Sequence, residues 1–477
     1  MKKIFYSIIN LFLITIIHSN LFAQKPNLLK RTIIQEVYVI KNVNIISMNL
    51  SNLVLKNASL VIINDRIASI NGPIPNEAKI IDGTGKWLMP GLIDMHVHVP
   101  TDGGPFGPKL PTQGATVFFD LQDFMTLHNS NGVTALFDLG SRPEHFGQRN
   151  EIAKGQIIGS RMALAAMIDG GKGQGRRANT AEEGRQAVRS AKAEGYEFIK
   201  LYSDLNIETF KAIVDEAAKH GLKSIGHIPD SFQGHLQEAF VPNFGMVAHA
   251  EELTKHTENY TLEDAQRFAK LLKANGTWLC PTLTTIEWIA SQVRSLDQLK
   301  ALSSLQYMHP LSQSKWLTAN RYNKMSDSAT IVKFENYVKF NNLLVKECKA
   351  LGVPIVAGTD ASTSGVVFGF AMHDELELLV KAGLSNEEAL NAATKQAATW
   401  LGIESIVGTV ETGKKADLIL LEANPLENIK NTKKIAGVFV NGHWLDKSKI
   451  KADLADLSKR NTAAKADWDW KKTISGK

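Results

Sequence analysis

The chain contains only two cysteines, Cys280 and Cys348, among its 477 residues. Two thiols cannot build a disulfide-stapled scaffold or a four-thiolate metal site. Any bound metal ion must therefore be held by His, Asp, Glu or a modified side chain. Glycine and proline are not enriched, at 35 and 15 residues, which excludes a collagenous or low-complexity protein. The hydrophobic fraction of 44% permits a large buried core.

Charge is similarly limited, because charged residues make up 21% of the chain and the formal net charge is +6. Arg and Lys are not gathered into a stripe with interleaved aromatic residues, which is the pattern typical of nucleic-acid-binding proteins. We therefore expect no nucleic-acid partner and predict a small-molecule substrate. Assembly into a homo-oligomer stays open.

Residues 1–23 have the three-part layout of a secretory signal peptide. Two lysines precede an apolar run over residues 8–17, and Ala23 stands before Gln24. The apolar run is shorter than a membrane span requires, although an uncleaved anchor is the alternative. We predict cleavage between Ala23 and Gln24, a periplasmic or secreted mature protein, and no stable membrane association after cleavage.

Short segments rich in Val and Ile lie at both flanks of the chain and predict a small β domain. The C-terminal flank adds Asn441-Gly442, a strong hairpin signal. We predict that residues 35–88 and 404–446 combine into one β-sandwich domain. Residues 447–477 are predicted to be a solvated, partly helical tail without an assigned function.

Between the flanks, apolar runs of strand length alternate with helical stretches, as in βα units around a parallel sheet. The predicted fold class is α/β, with a (β/α)8 TIM barrel over residues 89–403. A long helical connection, 284–352, either caps the site or forms a subunit contact. The eight predicted strands are 92–97, 134–139, 162–167, 198–202, 223–228, 246–250, 277–283 and 354–358.

Polar side chains interrupt these apolar strands at positions that need an explanation. His96 and His98 are two residues apart, so a strand points both imidazoles the same way and lets them bind one ion, although ordinary polar packing also explains the pair. Lys200 lies among apolar neighbours, where a charged ammonium is costly. It pairs with an anion, snorkels to solvent, or reacts with CO2 to give a carbamate whose two oxygens can bridge two cations.

His227, His249 and Asp360 stand at the ends of three further strands. Singly, each histidine is more often a hydrogen-bonded core residue, and Asp360 is equally suited to cap a following helix. Together with the earlier three, these residues fall in order at the ends of strands one, four, five, six and eight. Catalytic groups of a TIM barrel sit at those ends, so the combined pattern predicts a metal site.

The sequence resembles the amidohydrolase superfamily, in the branch of imidazolonepropionases and Xaa-Pro dipeptidases (prolidases). The likeness covers about residues 37–445. It rests on Met-Pro-Gly-Leu-Ile-Asp-Met-His-Val-His over residues 89–98, on the strand ends with Lys200, His227 and His249, on Gly358-Thr-Asp360, and on 373–394, 408–421 and 424–426.

The resemblance implies two divalent cations, with zinc as the expected metal, and a CO2-derived carbamate that bridges them. The implied ligands are His96, His98 and Asp360 for one cation, His227 and His249 for the other, and carboxylated Lys200 for both. One departure concerns the glycine-rich loop 169–175, where relatives often carry a His and this chain has Lys172. Substrate contacts of that loop are therefore not carried over.

The function implied is hydrolysis of an amide or peptide-type C–N bond in a dipeptide, an Xaa-Pro peptide or an N-acyl amino acid. The cations would activate a water, and Asp360 would take its proton and pass it to the leaving nitrogen. Tyr202, two residues beyond Lys200, is a candidate substrate contact or a pocket wall. A lactonase, a cyclic-ureide or phosphotriester hydrolase with the same site, and a non-catalytic binding barrel are the alternatives.

Overall fold

The structure is a computed structural model that describes residues 36–49, 54–101, 119–171 and 173–475. The predicted signal peptide, residues 1–23, and Lys172 lie outside the described residues. Within them, no helix combines the length and the apolar character that crossing a bilayer requires.

The described part of the chain has the regular elements expected of alternating β and α units. In chain order the strands are β1 Val37–Ile46, β2 Val54–Ile63, β3 Arg66–Ile70, β4 Lys79–Asp82, β5 Trp87–Pro90, β6 Leu92–Val97, β7 Val133–Ser141, β8 Arg161–Asp169, β9 Arg176–Arg177, β10 Phe198–Leu201, β11 Lys223–Gly226, β12 Phe244–Ala248, β13 Trp278–Cys280, β14 Leu418–Leu421, β15 Ile435–Val440 and β16 His443–Asp446. The α-helices are α1 Leu121–Ser130, α2 Pro143–Ala153, α3 Ala181–Glu194, α4 Ile207–Lys219, α5 Glu251–Thr254, α6 Leu262–Asn275, α7 Leu283–Arg294, α8 Asp297–Lys300, α9 Pro310–Thr318, α10 Ser328–Ala350, α11 Phe370–Lys381, α12 Asn386–Ala392, α13 Lys395–Leu401, α14 Lys447–Ala464 and α15 Trp470–Ser475.

Seven parallel strands form a nearly closed barrel in the order β13-β12-β11-β10-β8-β7-β6, and the short β9 pairs with β8 at the side. Every residue of β6 and β10 is buried, as expected where helices cover one face of a parallel sheet and the barrel core fills the other. This arrangement confirms the predicted α/β barrel class.

The predicted eighth strand, 354–358, is not a regular strand. It still closes the barrel, because the Pro354 carbonyl accepts a hydrogen bond from β13 and the Ala357 carbonyl accepts one from β6, both at 3.0 Å. The N–H of Ala357 instead donates to the carbonyl of Ala392 at 3.1 Å, outside the sheet. This diversion interrupts the ladder and explains why a continuous strand does not form here.

Strands from both flanks make a separate sheet in the order β16-β15-β14-β5-β1-β2-β3, with β4 branching from β1. The two flanks meet where β5 pairs with β14 in antiparallel fashion. Because β5 ends at Pro90, the predicted boundary after residue 88 falls inside this strand. Asn441 and Gly442 join β15 to β16 with φ values of 48° and 85°, the positive φ pair that the hairpin signal predicts.

The C-terminal tail differs from the solvated end predicted for it. Its helix α14 is docked on the barrel rim, where the buried Asn461 amide donates to the Met308 carbonyl at 3.1 Å. The Arg460 guanidinium forms two hydrogen bonds with Asp123 of α1, at 2.7 and 2.6 Å. These anchors hold the tail beside the open end of the barrel.

Candidate metal centre and active site

The irregular eighth segment and β6 bring three predicted ligands together. His98 Nε2 lies 3.1 Å from Asp360 Oδ1, and His96 Nε2 lies 3.3 Å from the same oxygen. One ligand atom from each of the three residues lies within 4.8 Å of the other two. The spacing allows these side chains to bind a single cation.

The next two predicted ligands lie beside this group. His227 directly follows β11 and His249 directly follows β12, and their ring centroids are 4.9 Å apart. The His249 ring is also 4.5 Å from that of His96. His249 Nδ1 lies 2.7 Å from the Thr282 hydroxyl, and His227 Nδ1 lies 3.0 Å from the Ser203 hydroxyl. Each ring is thus oriented by a hydrogen bond at Nδ1, so that Nε2 is the nitrogen that could bind a metal ion.

Lys200, in the middle of β10, shows whether the chemistry of this group of residues suits the binding of metal ions. Its side chain is completely buried, and Nζ has no hydrogen-bond partner among the described residues. Burial lowers the pKa of the amine to about 8, against the opposing attraction of Asp360 and Glu252. Neither a salt bridge nor a solvent-exposed ammonium, the two alternatives to a modified lysine, is present at this position. An unpartnered buried amine beside four imidazoles and a carboxylate fits a bridging carbamate.

Asp360 is held as an ionised carboxylate. Burial favours its neutral form, but the hydrogen bond with His98 and the nearby His249 and Lys200 outweigh burial and lower its pKa to about 2. Its other oxygen, Oδ2, accepts a hydrogen bond from the Thr363 hydroxyl at 3.1 Å. No α-helix begins at this residue, so it is not a helix cap. Its φ of 57° is a left-handed conformation of the kind that clusters at functional sites.

Asp94 is a supporting residue that the sequence interpretation missed. Its buried carboxylate accepts hydrogen bonds from the Thr359 N–H at 2.9 Å and from the Thr359 hydroxyl at 2.6 Å, and thereby ties β6 to the segment before Asp360. Burial raises its pKa to about 7. A charged residue inside an apolar strand was the available signal, the same one that singled out Lys200.

Glu252 is a second such residue, three positions beyond His249. It is fully buried, with Oε1 lying 3.1 Å from His227 Nδ1 and 2.7 Å from Lys255 Nζ. Burial opposes its ionisation, but His227 and Lys255 together lower its pKa well below the usual range. The carboxylate orients the His227 imidazole, a role common behind metal-binding histidines.

A cavity of about 1230 Å³ opens over these groups. Tyr202 lines it, with its ring centroid 4.3 Å from that of His227. Arg321 and Tyr322, from the long connection between β13 and the eighth segment, line it too, and Arg321 donates to the Tyr322 hydroxyl at 2.6 Å. The connection therefore caps the site, which is one of the two roles predicted for it.

The model of the amidohydrolase family matches residues 87–445, which include all six predicted ligands. The chain belongs to the amidohydrolase family. This match confirms the resemblance stated from the sequence, and metal dependence is general among amidohydrolases.

An enamidase from Eubacterium barkeri is 34% identical over 122 residues, 24% of this chain and 28% of that protein. A 5-methylthioadenosine/S-adenosylhomocysteine deaminase from Moorella thermoacetica is 36% identical over 85 residues, 16% of this chain and 20% of that protein. The chain therefore matches less than a third of the length of these two curated relatives.

Solved amidohydrolase structures match the chain over most of its length. A putative prolidase from Bifidobacterium longum has a TM-score of 0.64 at 24% identity, covering 88% of this chain and 99% of that one. A bottromycin amidohydrolase has a TM-score of 0.68 at 21% identity, covering 91% and 92%. These similarities establish the shared barrel fold.

Proposed function

We propose that the protein is an exported, metal-dependent amidohydrolase that hydrolyses an amide or peptide-type C–N bond. The observation that carries the proposal is the unpartnered, buried Lys200 amine beside the cluster of His96, His98 and Asp360. Membership of the amidohydrolase family supports the reaction class. The signal-like residues 1–23 support export.

Two divalent cations, expected to be zinc, complete the proposed site. His96, His98 and Asp360 would hold one cation, and His227 with His249 would hold the other. The Lys200 nitrogen would bond to the carbon of CO2 and release a proton, giving an anionic carbamate between them. When bound, the cations lower the pKa of a water molecule and polarise the substrate carbonyl.

Asp360 moves the proton in the proposed reaction. Its carboxylate is ionised at neutral pH and is therefore able to accept a proton from the attacking water. His96 and His98 contact Oδ1, so Oδ2 is the oxygen that takes the proton. Asp360 then gives this proton to the leaving nitrogen as the C–N bond breaks, and returns to its carboxylate form.

Arg321 favours a substrate whose leaving amine carries a carboxylate. Its guanidinium has five N–H donors, and among the described residues its hydrogen-bond partner is the Tyr322 hydroxyl. Donors therefore remain on the cavity wall for a bidentate pair with a carboxylate. Dipeptides and N-acyl amino acids carry such a group, whereas simple lactones and phosphotriesters do not.

Hydrolysis of N-benzoylglycine and of its terminal N-methylamide, followed by benzoate release, tests both assignments. We expect D360N to lower kcat on both substrates by roughly a hundredfold or more, because general acid–base catalysis is lost. We expect R321M to lower kcat/KM about tenfold or more on N-benzoylglycine alone, since only this substrate offers a carboxylate.

K333M is the matched control, because Lys333 is another cation of the cavity wall. K333M should hydrolyse both substrates with the same kcat/KM as the unsubstituted protein. Full activity of D360N would remove the proposed role of Asp360, and equal losses of R321M on both substrates would remove carboxylate recognition. Cleavage of lactones or phosphotriesters but of no amide would favour the alternative hydrolase.

A further inference from the structure

The C-terminal tail, which lies beyond the family match, contributes to the wall of the active-site cavity. The match ends at residue 445, whereas Leu457, Asn461 and Trp470 line the same cavity as the candidate metal ligands. Part of the pocket is therefore built from residues outside the region that defines the family.

Trp470 is fixed in place on this wall. Its side chain is nine-tenths buried, and its backbone N–H donates to the Ser314 hydroxyl at 3.0 Å. The Lys315 ammonium lies 4.7 Å from the ring centroid, and the indole packs against Leu311. All three partners belong to α9, which is itself part of the cavity wall. The indole therefore presents a rigid apolar surface to the cavity.

The cavity walls provide an apolar part as well as the polar catalytic part. The apolar side chains that line the cavity together with Trp470 include Phe124, Met308, Leu311, Trp316 and Phe368. The one carboxylate that α1 offers beside Phe124, Asp123, is already paired with Arg460 of the tail. At about 1230 Å³, the cavity also exceeds the roughly 300–1,000 Å³ typical of sites for drug-sized ligands. It has room for a sizeable apolar group beyond the reacting amide.

We infer that Trp470 and its apolar neighbours form a subsite for the acyl group of the substrate, and that the tail makes the enzyme prefer long apolar or aryl-alkyl acyl groups. This inference rests on the proposed function. Because Arg321 is assigned to the carboxylate of the leaving amine, the acyl group is the end of the substrate that remains for the apolar part of the cavity.

The test uses the metal-loaded full-length protein and N-acylglycines with acetyl, hexanoyl and 4-phenylbutanoyl groups. We expect kcat/KM to rise along the series, and W470A to lose about tenfold, through KM, on the 4-phenylbutanoyl substrate while changing little on the acetyl one. W470F should restore most of the loss because it retains an aromatic surface. W468A is the matched control, since Trp468 belongs to the same tail and packs on His309 at 4.8 Å but does not line the cavity.

Equal losses of W470A across the series, or equal losses in W468A and W470A, would overturn the subsite and leave only a structural role. Calorimetric binding of 4-phenylbutanoate, with acetate as reference, keeps this test independent of turnover. If no amide is cleaved but W470A weakens 4-phenylbutanoate binding, the subsite stands and the proposed function fails. Equal affinity of W470A and the unsubstituted protein for 4-phenylbutanoate would refute the subsite.

Discussion

His128, in α1, is a buried histidine whose ring nitrogens both lack hydrogen-bond partners among the described residues. Its ring lies between Phe124 and Phe368, with centroids 4.7 and 5.8 Å away. Burial lowers its pKa from 6.5 to about 3. The folded protein therefore keeps this imidazole neutral, while the unfolded chain takes up a proton below about pH 6.5. As a result, stability falls as the pH decreases from about 6.5 toward 3.

Replacing His128 with Leu should remove this pH-dependent loss. At pH 5 the protonation of His128 in the unfolded chain lowers the free energy of unfolding by about 2 kcal/mol, and at pH 8 this loss is absent. Urea denaturation of H128L and of the unsubstituted protein at both pH values measures the difference. The same change in stability at pH 5 and at pH 8 would mean that packing, and not protonation, decides the effect.

Individual site residues could be predicted where their own sequence context was unusual. Lys200 and the five other proposed ligands each interrupt or end an apolar strand, so one local rule selected all six as candidates. Asp94 obeys the same rule, yet its role depends on Thr359, which is distant in sequence and meets it only when the barrel closes. Arg321 lies in a polar, aromatic-rich connection, where a cation is unremarkable until the fold places it on the cavity wall.

The elements themselves follow from periodicity, and seven of the eight predicted barrel strands form close to their predicted positions. The eighth became irregular because Ala357 donates its backbone hydrogen bond to Ala392, a contact that no local pattern encodes. The docking of α14 was missed for a similar reason. Its sequence alternates charged residues and alanine, as a solvated helix does, while Asn461 and Arg460 supply contacts that only the fold brings together.

Asn461 should be the main polar anchor of α14. Its amide nitrogen lies 3.2, 3.1 and 3.1 Å from the carbonyl oxygens of Gln306, Tyr307 and Met308. N461A leaves these carbonyls without the donor, at a cost of roughly 1–3 kcal/mol to docking. We expect faster hydrogen–deuterium exchange in α9 and in residues 447–475, measured by mass spectrometry.

S458A is the control for this experiment, since the Ser458 hydroxyl bonds to the Gln306 side chain in an exposed position on the same helix. It should leave the exchange rates of α9 unchanged. If N461A also leaves them unchanged, Leu457 packing and the pair between Arg460 and Asp123 hold the tail without Asn461.

At the scale of the whole molecule, the proposed ligands lie on or directly after β6, β10, β11 and β12 and after the irregular eighth segment. Metal ions bound there would cross-link the barrel, including its least regular part. Removing them with a chelator should lower the melting temperature, and zinc with bicarbonate should restore it. A free zinc concentration of 100 times the dissociation constant corresponds to an increase of about 2.7 kcal/mol in the free energy of unfolding.

Elemental analysis of protein purified without chelator should find about two metal ions per chain, as the proposed set of two cations with a bridging carbamate requires. Lys200→Ala should lower this number because the bridge is lost. Lys223→Ala is the matched control, since Lys223 begins β11 at the opposite end of the same barrel. Two metal ions retained after Lys200→Ala would exclude the bridging role.

The pairing of β5 with β14 also orders events during synthesis. Trp87 pairs with Leu421 and Pro90 with Leu418, so the first strands of the flank sheet are made long before their partners leave the ribosome. Until then β5 has an open edge, of the kind that recruits strands from other chains. Long-range pairings of this kind also slow folding. The edge of β5 therefore stays uncovered until nearly all of the chain is available for folding.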